Sequence, residues 1–456
     1  MNPAIFREYD IRGVVGKDLD RDTVYTIARG FASYASERGV KKVALGRDVR
    51  LSSPDFASAI ARGLTESGID VVDVGCVPTP LLYFSIIELG TDGGVMVTGS
   101  HNPPEFNGFK LCIGTTAIYG EMIQQVRSYI EEGRFVSGDG KIVREEVIPR
   151  YVEKVKELVK IERPLRVVLD CGNGTAGLVA PNLFREMGLD VEVLFEEPDG
   201  TFPNHHPDPI VPENLTYLIE RVRSSGADVG VGYDGDADRI GVVDEKGNII
   251  FGDYLLILFS RELLRRKPGA TIISEVKASQ NLYDDIRRHG GNPIMYRTGH
   301  SLIKKKMKEV GAELAGEMSG HIFFQDRYFG YDDAIYASAR LFEILSSESR
   351  PLSELLSDLP PLVATPEIRV DCPDEVKFQV VERVKEALAP RAKEVVTIDG
   401  VRALFDGGWG LVRASNTQPV LVLRFEARSQ EALKTIQEMV EEAVSRAIGE
   451  FAGGGS

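Results

Sequence analysis

Gly94-Val95-Met96-Val97-Thr98-Gly99-Ser100-His101-Asn102-Pro103 is an apolar run that breaks into a hydroxyl, a basic side chain and a tight Gly/Pro turn. Read alone, it is a strand closed by ordinary turn formers. A serine delivered there is a poor nucleophile and an adequate phosphate carrier, and either role needs charges from elsewhere in the chain. Working outward, residues 42–45 read as a strand, 53–67 as an amphipathic helix, 70–74 as a strand and 81–89 as a helix. The Ser100 strand therefore closes a β-α-β-α-β unit, the pattern of a mostly parallel sheet with helices on its faces.

The unit recurs. Residues 165–170, 176–187, 191–195, 215–224 and 228–232 repeat the alternation and end in Asp234-Gly235-Asp236-Ala237-Asp238-Arg239. A third copy uses 271–273, 282–288, 293–296, 301–310 and 313–315 and ends in Gly316-Glu317-Met318-Ser319-Gly320-His321. Each copy carries a polar motif after the corresponding strand, where open α/β sheets bind ligands. Residues 240–243 and 248–251 flank a Gly-bearing turn and read as a β-hairpin, which sets a boundary near Gly252. Beyond Leu359-Pro360-Pro361 the pattern changes: strands at 367–370, 395–405, 409–414 and 420–426 alternate with helices at 374–388 and 431–448. The expected fold is α/β: three related α/β sandwich domains with mixed, mostly parallel sheets, plus a smaller C-terminal α+β domain. The expected divisions are 1–150, 151–252, 253–361 and 362–456, with the Gly-Gly-Gly-Ser ending set aside as a flexible tail.

Composition agrees with this layout. A chain of 456 residues divides into about three or four domains, and 43% hydrophobic with 27% charged residues is a globular balance. The net charge of -15, from 54 basic and 69 acidic residues, argues against a general nucleic-acid surface, so a phosphorylated ligand needs a local cationic pocket. Cys76, Cys112, Cys171 and Cys372 are scattered without metal or disulfide spacing, as in a reducing cytoplasm. The N-terminus reaches charge before an apolar segment forms, and no apolar run has spanning length. A cytoplasmic protein without membrane attachment is expected.

Four loops carry the chemistry. Asp234, Asp236 and Asp238 alternate so that their oxygens can converge on a hard divalent cation, and Arg239 stands beside them for a phosphate. An EF-hand is a poor match even with Glu245 at the twelfth position, because Arg239 replaces the needed glycine. Magnesium is the better reading. Gly172-Asn173-Gly174-Thr175-Ala176-Gly177 has a dinucleotide-type spacing, yet glycines there also serve close helix–strand packing. Glu317 and Ser319 suit hydrogen bonding to vicinal sugar hydroxyls. Arg413-Ala414-Ser415-Asn416-Thr417-Gln418-Pro419 offers a guanidinium, hydroxyls, an amide and backbone N–H groups, the donors a phosphate monoester asks for.

In this order the loops TGSHNP, DGDADR, GEMSGH and RASNTQP resemble the phosphoserine, metal, sugar and phosphate loops of the α-D-phosphohexomutase superfamily. The resemblance covers nearly the whole chain and implies four domains around a central cleft. Arg7 to Gly13, Met318 and residues 326–333 are similar to its phosphomannomutase/phosphoglucomutase branch; phosphoglucosamine mutases usually carry Gln at the Met318 position. The resemblance implies that Ser100 is carried as phosphoserine and completes, with the three aspartates, the shell of one Mg2+ per chain. Hexose 1,6-bisphosphate is then both intermediate and activator. Arg239 stabilises the transferring group; His101 and Lys110 are candidates for general acid/base work, and Tyr9 and Arg12 for contacts to the serine. His300 and His321 contact ligand, Glu317 and Ser319 read the sugar, and Arg413, Ser415, Asn416 and Thr417 hold the far phosphate. The expected partners are small-molecule sugar phosphates, not nucleic acid or membrane, for a monomer or dimer with a hinge near Pro360-Pro361. A phosphoglucosamine mutase and a magnesium-dependent sugar phosphatase are the rival readings.

Overall fold

The computed structural model describes residues 1–415 and 419–452. Strands such as Gly93–Val97 and Val229–Tyr233 are buried at every position, which is why they read as continuous apolar runs and not as alternating ones. Helices cover both faces of such strands, so each forms the middle of a layered α/β sheet.

Three sheets share one four-strand core. In the first unit Lys42–Arg47 lies between Asp70–Cys76 and Gly93–Val97, all parallel, and Phe106–Ile113 returns antiparallel beside Gly93–Val97. In the second, Arg166–Asp170 lies between Asp190–Leu194 and Val229–Tyr233, with Ile240–Asp244 antiparallel. In the third, Thr271–Glu275 lies between Asn292–Tyr296 and Leu314–Gly316, with Ile322–Phe324 antiparallel. The register pairs Val97 with Phe109, Tyr233 with Ile240, and Gly316 with Ile322. All three motif loops thus join a third strand to its antiparallel neighbour at the carboxyl end of the sheet. The first sheet is extended by Ile11–Val14 and Ile142–Arg144, the second by Ile249–Ile250.

A continuous apolar core joins these units: Leu82 and Phe84 from the first, Tyr151 and Phe184 from the second, and Phe342 from the third belong to one cluster. Phe84 meets Tyr151 with ring centroids 5.6 Å apart, and Phe184 meets Phe342 at 4.9 Å. The last unit has its own core around Val384, Leu423, Phe425 and Val440, and meets the third through a small patch of Val276, Trp409 and Leu411. Its sheet includes Glu394–Val396, Val401–Phe405, Gly408–Ala414 and Val420–Ala427 in antiparallel succession. The three α/β layers and the smaller α+β unit agree with the expected fold class.

Two expected elements are corrected. The helix expected over 176–187 is a 3-10 turn, Thr175–Leu178, followed by an α-helix, Ala180–Glu186, because Pro181 suits a first helical turn and not an interior. The single strand expected over 395–405 is a hairpin that turns at Gly400, whose φ of 81° needs a glycine. Cys76, Cys112, Cys171 and Cys372 are free thiols. Among the described residues no helix is long and apolar enough to cross a membrane.

Candidate active site

The Ser100 turn is tightly held. Ser100 has a left-handed backbone, φ 50°, and its N–H donates to Thr98 Oγ1 at 2.8 Å. Its hydroxyl donates to Asp234 Oδ2 at 3.0 Å and lies 3.1 Å from His101 Nδ1. Burial, with Arg239 and Arg12 adding to it, lowers the His101 pKa well below its usual value, so this imidazole is neutral.

Asp234, Asp236 and Asp238 are all buried. The N–H groups of Asp238 and Arg239 donate to Asp234 Oδ1, each at 3.1 Å, and tie the loop on itself. Asp236 Oδ2 accepts from Thr79 Oγ1 at 2.6 Å, Thr98 Oγ1 at 3.2 Å and Lys110 Nζ at 2.8 Å. Lys110 Nζ also donates to Asp238 Oδ2 at 2.5 Å. Burial favours a neutral Lys110, yet Asp236, Asp238 and Asp332 outweigh it and raise its pKa, so it is an ammonium. Burial and the repulsion of Asp238 and Asp236 raise the Asp234 pKa, whereas Lys110 holds Asp236 low against burial. Asp236 Oδ1 and Asp238 Oδ1 are buried without a hydrogen-bond partner, and the three carboxylates offer atoms within 4.8 Å of one another. Orphaned, hard, all-oxygen donors of this kind fit a magnesium ion.

The Gly172 turn backs this loop. Thr175 N–H donates to Gly235 O at 3.0 Å, and a Cβ on Gly174 would come within 2.7 Å of the same oxygen. Its glycines serve the close packing of this turn against the Asp234 loop. Gly235 in turn abuts the first unit, since a Cβ there would lie 2.6 Å from Ser100 O.

The third loop faces the second. Arg239 Nε donates to His321 Nε2 at 3.1 Å, which places the imidazole proton on Nδ1, 3.1 Å from Asp332 Oδ2. His300 stacks on His321 with centroids 5.3 Å apart, and its Nδ1 is 3.6 Å from the same Asp332 oxygen. Tyr9 reaches across from the first unit, its ring 6.1 Å from His300 and its hydroxyl donating to Thr298 O at 3.1 Å. The Glu317 carboxylate accepts from Gly299 N–H at 2.8 Å and stands off the cleft wall; Ser319 is half-buried nearby. Burial and the Glu275 carboxylate push Glu317 up to about 7.

From the fourth unit, Arg413 Nε donates to Asp399 Oδ2 at 3.2 Å, its Nη2 forms an ion pair with the same oxygen at 3.1 Å, and that oxygen also accepts Thr298 N–H at 3.0 Å. Ser415 is buried beside it, whereas Asn416 and Thr417 lie outside the described residues. One cleft of about 270 Å³ is lined by Tyr9, Arg12, Ser100, His101, Lys110, Asp238, Arg239, His300, His321, Arg413 and Ser415. All four units therefore face a common space. Sequence reasoning assigned no site role to Arg7, Asp10 and Thr298 in this wall, or to Thr79 and Asp332 behind it. Asp332 stood within the stretch 326–333 that marked the branch, and its charge among tyrosines was the available signal.

A serine beside a carboxylate cluster, facing one cleft with an arginine from another unit, is the equipment of a phosphoryl-transfer enzyme of the layered α/β class. Models of phosphoglucomutase/phosphomannomutase α/β/α domains I, II and III match residues 3–137, 149–247 and 251–363, and the C-terminal domain of that family matches 367–443. The chain belongs to the phosphoglucomutase/phosphomannomutase family. It is 48% identical over 434 residues, 95% of this chain and 94% of the relative, to a phosphomannomutase/phosphoglucomutase of Pseudomonas aeruginosa. It is likewise 48% identical over 437 residues, 95% of each chain, to a phosphoglucomutase of Neisseria gonorrhoeae. A solved phosphoglucomutase/phosphomannomutase family protein of Burkholderia thailandensis superposes with a TM-score of 0.94 at 46% identity, covering 98% of both chains.

Proposed function

We propose that the chain is a phosphohexomutase that interconverts the 1- and 6-phosphates of glucose and mannose through a phosphoserine at Ser100. The observation that carries this reading is the cleft itself, which is lined both by Ser100 beside the three-aspartate cluster and by Arg413 and Ser415 of the fourth unit. A phosphatase needs only the first of these; a mutase must hold a bisphosphate by both.

Asp234, Asp236 and Asp238 would hold Mg2+ together with the Ser100 oxygen or its phosphate. When bound, the ion supplies positive charge against the charge spreading over a transferring phosphoryl group. Lys110, as an ammonium, and Arg239 add donors on the same side. His101, neutral beside Ser100, is able to take a proton, which Lys110 in its charged form is not. Tyr9, His300 and His321 line the cleft where the sugar would lie, and Glu317, held off the cleft wall by the Gly299 N–H, would turn toward it with Ser319 to read its hydroxyls. Arg12 is paired with Asp10, which holds its guanidinium in the cleft lining. Hexose 1,6-bisphosphate would serve as the bound intermediate, turning over so that each phosphate visits Ser100 in turn.

Incubation with glucose 1-phosphate, Mg2+ and catalytic glucose 1,6-bisphosphate tests this. Glucose 6-phosphate is the expected product, and free phosphate alone overturns the mutase reading. Relative rates on mannose, glucose and glucosamine 1-phosphates fix the sugar, and a preference for glucosamine overturns the glucose/mannose assignment.

A further inference from the structure

Beneath the Ser100 turn lies Arg50, 1% exposed, with every one of its five N–H groups matched to an acceptor. Nε donates to Asp48 Oδ2 at 3.2 Å. Nη1 donates to Pro103 O at 2.6 Å and Phe106 O at 2.9 Å, and Nη2 to Ser100 O at 3.0 Å and Asn102 O at 2.5 Å. Four carbonyls between Ser100 and Phe106 thus converge on one planar fork. Asp48 completes the set, since its Oδ2 also accepts Gly99 N–H at 3.0 Å and its Oδ1 accepts from Ser53 Oγ at 2.5 Å.

This network accounts for two costly features of the turn. Ser100 holds a left-handed φ of 50°, a conformation that costs a non-glycine residue about 1 kcal/mol or more. Gly99 admits no side chain, because a Cβ there would lie 2.4 Å from Arg50 Nε. The second unit seals the arrangement from outside. The Phe202 ring lies 5.2 Å from the Arg50 guanidinium, and a Cβ on Gly200 would come within 2.5 Å of Val49 O.

We infer that Arg50 is a positioning residue for phosphoryl transfer: its fork sets the Ser100 backbone and so aims Oγ at Asp234 and the cleft, while the Gly200–Phe202 loop holds the fork in place. The inference rests on the mutase reading above. In the charging step the sugar O–P bond breaks, the Oγ–P bond forms, and the seryl proton ends on the released sugar hydroxyl. Such a transfer tolerates little misplacement of the acceptor oxygen, a displacement of about 1 Å being worth roughly 100-fold in rate. Lysine is no substitute, for its ammonium has three tetrahedrally placed donors where the turn presents five coplanar demands.

The test uses the full chain with Arg50→Lys and Phe202→Leu. For each, kcat and KM for glucose 1-phosphate, the thermal midpoint, and the rate of Ser100 phosphorylation by glucose 1,6-bisphosphate with Mg2+ are measured, the last by phosphopeptide mass spectrometry. Arg50→Lys is expected to lower kcat and the charging rate roughly 100-fold while KM stays within about threefold. Phe202→Leu keeps an apolar cover without the ring and is expected to lower both rates roughly threefold, by a partial loosening of the same geometry. A folded Arg50→Lys protein with kcat within about twofold of wild type overturns the inference. If that variant does not fold, Phe202→Leu decides, and wild-type charging and kcat in it overturn the inference. A wild-type chain that takes no phosphate at Ser100 overturns the mutase reading and this inference with it; a charged wild type beside undiminished variants overturns the inference alone.

Discussion

Glu317→Gln should stabilise the protein at alkaline pH and do little at acid pH. Burial and the nearby Glu275 carboxylate push Glu317 from 4.5 up to about 7. A carboxyl with a raised pKa favours folding fully below its unfolded value, and that contribution is lost as pH rises through the folded value. The window therefore runs from about pH 4.5 to about pH 7. At about 1.4 kcal/mol per tenfold change in proton affinity, the whole effect is ~3 kcal/mol, most of which develops between about pH 5 and about pH 8. The amide carries no charge and keeps an oxygen for the Gly299 N–H donor now at 2.8 Å. Urea unfolding followed by Trp409 is the assay, because this single tryptophan packs with Val276 and Leu411 where the third and fourth units meet. The variant's midpoint should gain steadily on wild type as pH rises through this window. Parallel curves for the two proteins would refute the reasoning.

Lys110→Met removes the ammonium that neutralises Asp236 and Asp238 and leaves buried carboxylates uncompensated, at about 3–5 kcal/mol. Thermal scans should show a lowered midpoint that Mg2+ restores by more than it raises wild type; an unchanged midpoint contradicts this. Gly235→Ala places a Cβ 2.6 Å from Ser100 O and should part the two loops, lowering kcat roughly tenfold or more with the circular dichroism spectrum unchanged. Full activity in that variant speaks against the packed loop pair. His205 faces acceptors at both ring nitrogens, His206 O at 2.9 Å and Asp170 at 3.0 Å, and Asp170 raises its pKa although burial opposes the charge. Its stabilising contribution is full below 6.5 and is lost as pH rises through the folded value. Titration by NMR should give a value above 6.5, and one at or below it refutes the assignment.

What was legible in the sequence followed from periodicity. Buried parallel strands such as Arg166–Asp170 announce themselves as apolar runs, and polar motifs placed after three of them gave both the repeat and the loops. The fourth core strand of the first unit, Phe106–Ile113, was hidden because Asn107, Gly108 and Lys110 interrupt it while being buried, Lys110 by virtue of its carboxylate partners. Helix Ala334–Ser347 was likewise unread, although Asp333 caps it by accepting from Tyr336 N–H. The supporting residues of the site were beyond periodicity altogether. Thr79 reaches Asp236 across 157 positions and Arg50 reaches Ser100 across 50, so only the folded chain makes either a partner. Glu317 was read as a residue of the sugar loop, but no local pattern tells that its carboxylate turns toward Gly299.

The central claim is that Ser100 relays the phosphoryl group. Dephosphorylated protein incubated with glucose 1,6-bisphosphate and Mg2+, then digested and mapped by mass spectrometry, should carry one phosphoryl group, on the peptide containing Ser100, and should pass it to added glucose 1-phosphate; Ser100→Ala should carry none and turn over no substrate. Phosphate found on another residue, or full turnover by Ser100→Ala, contradicts the account.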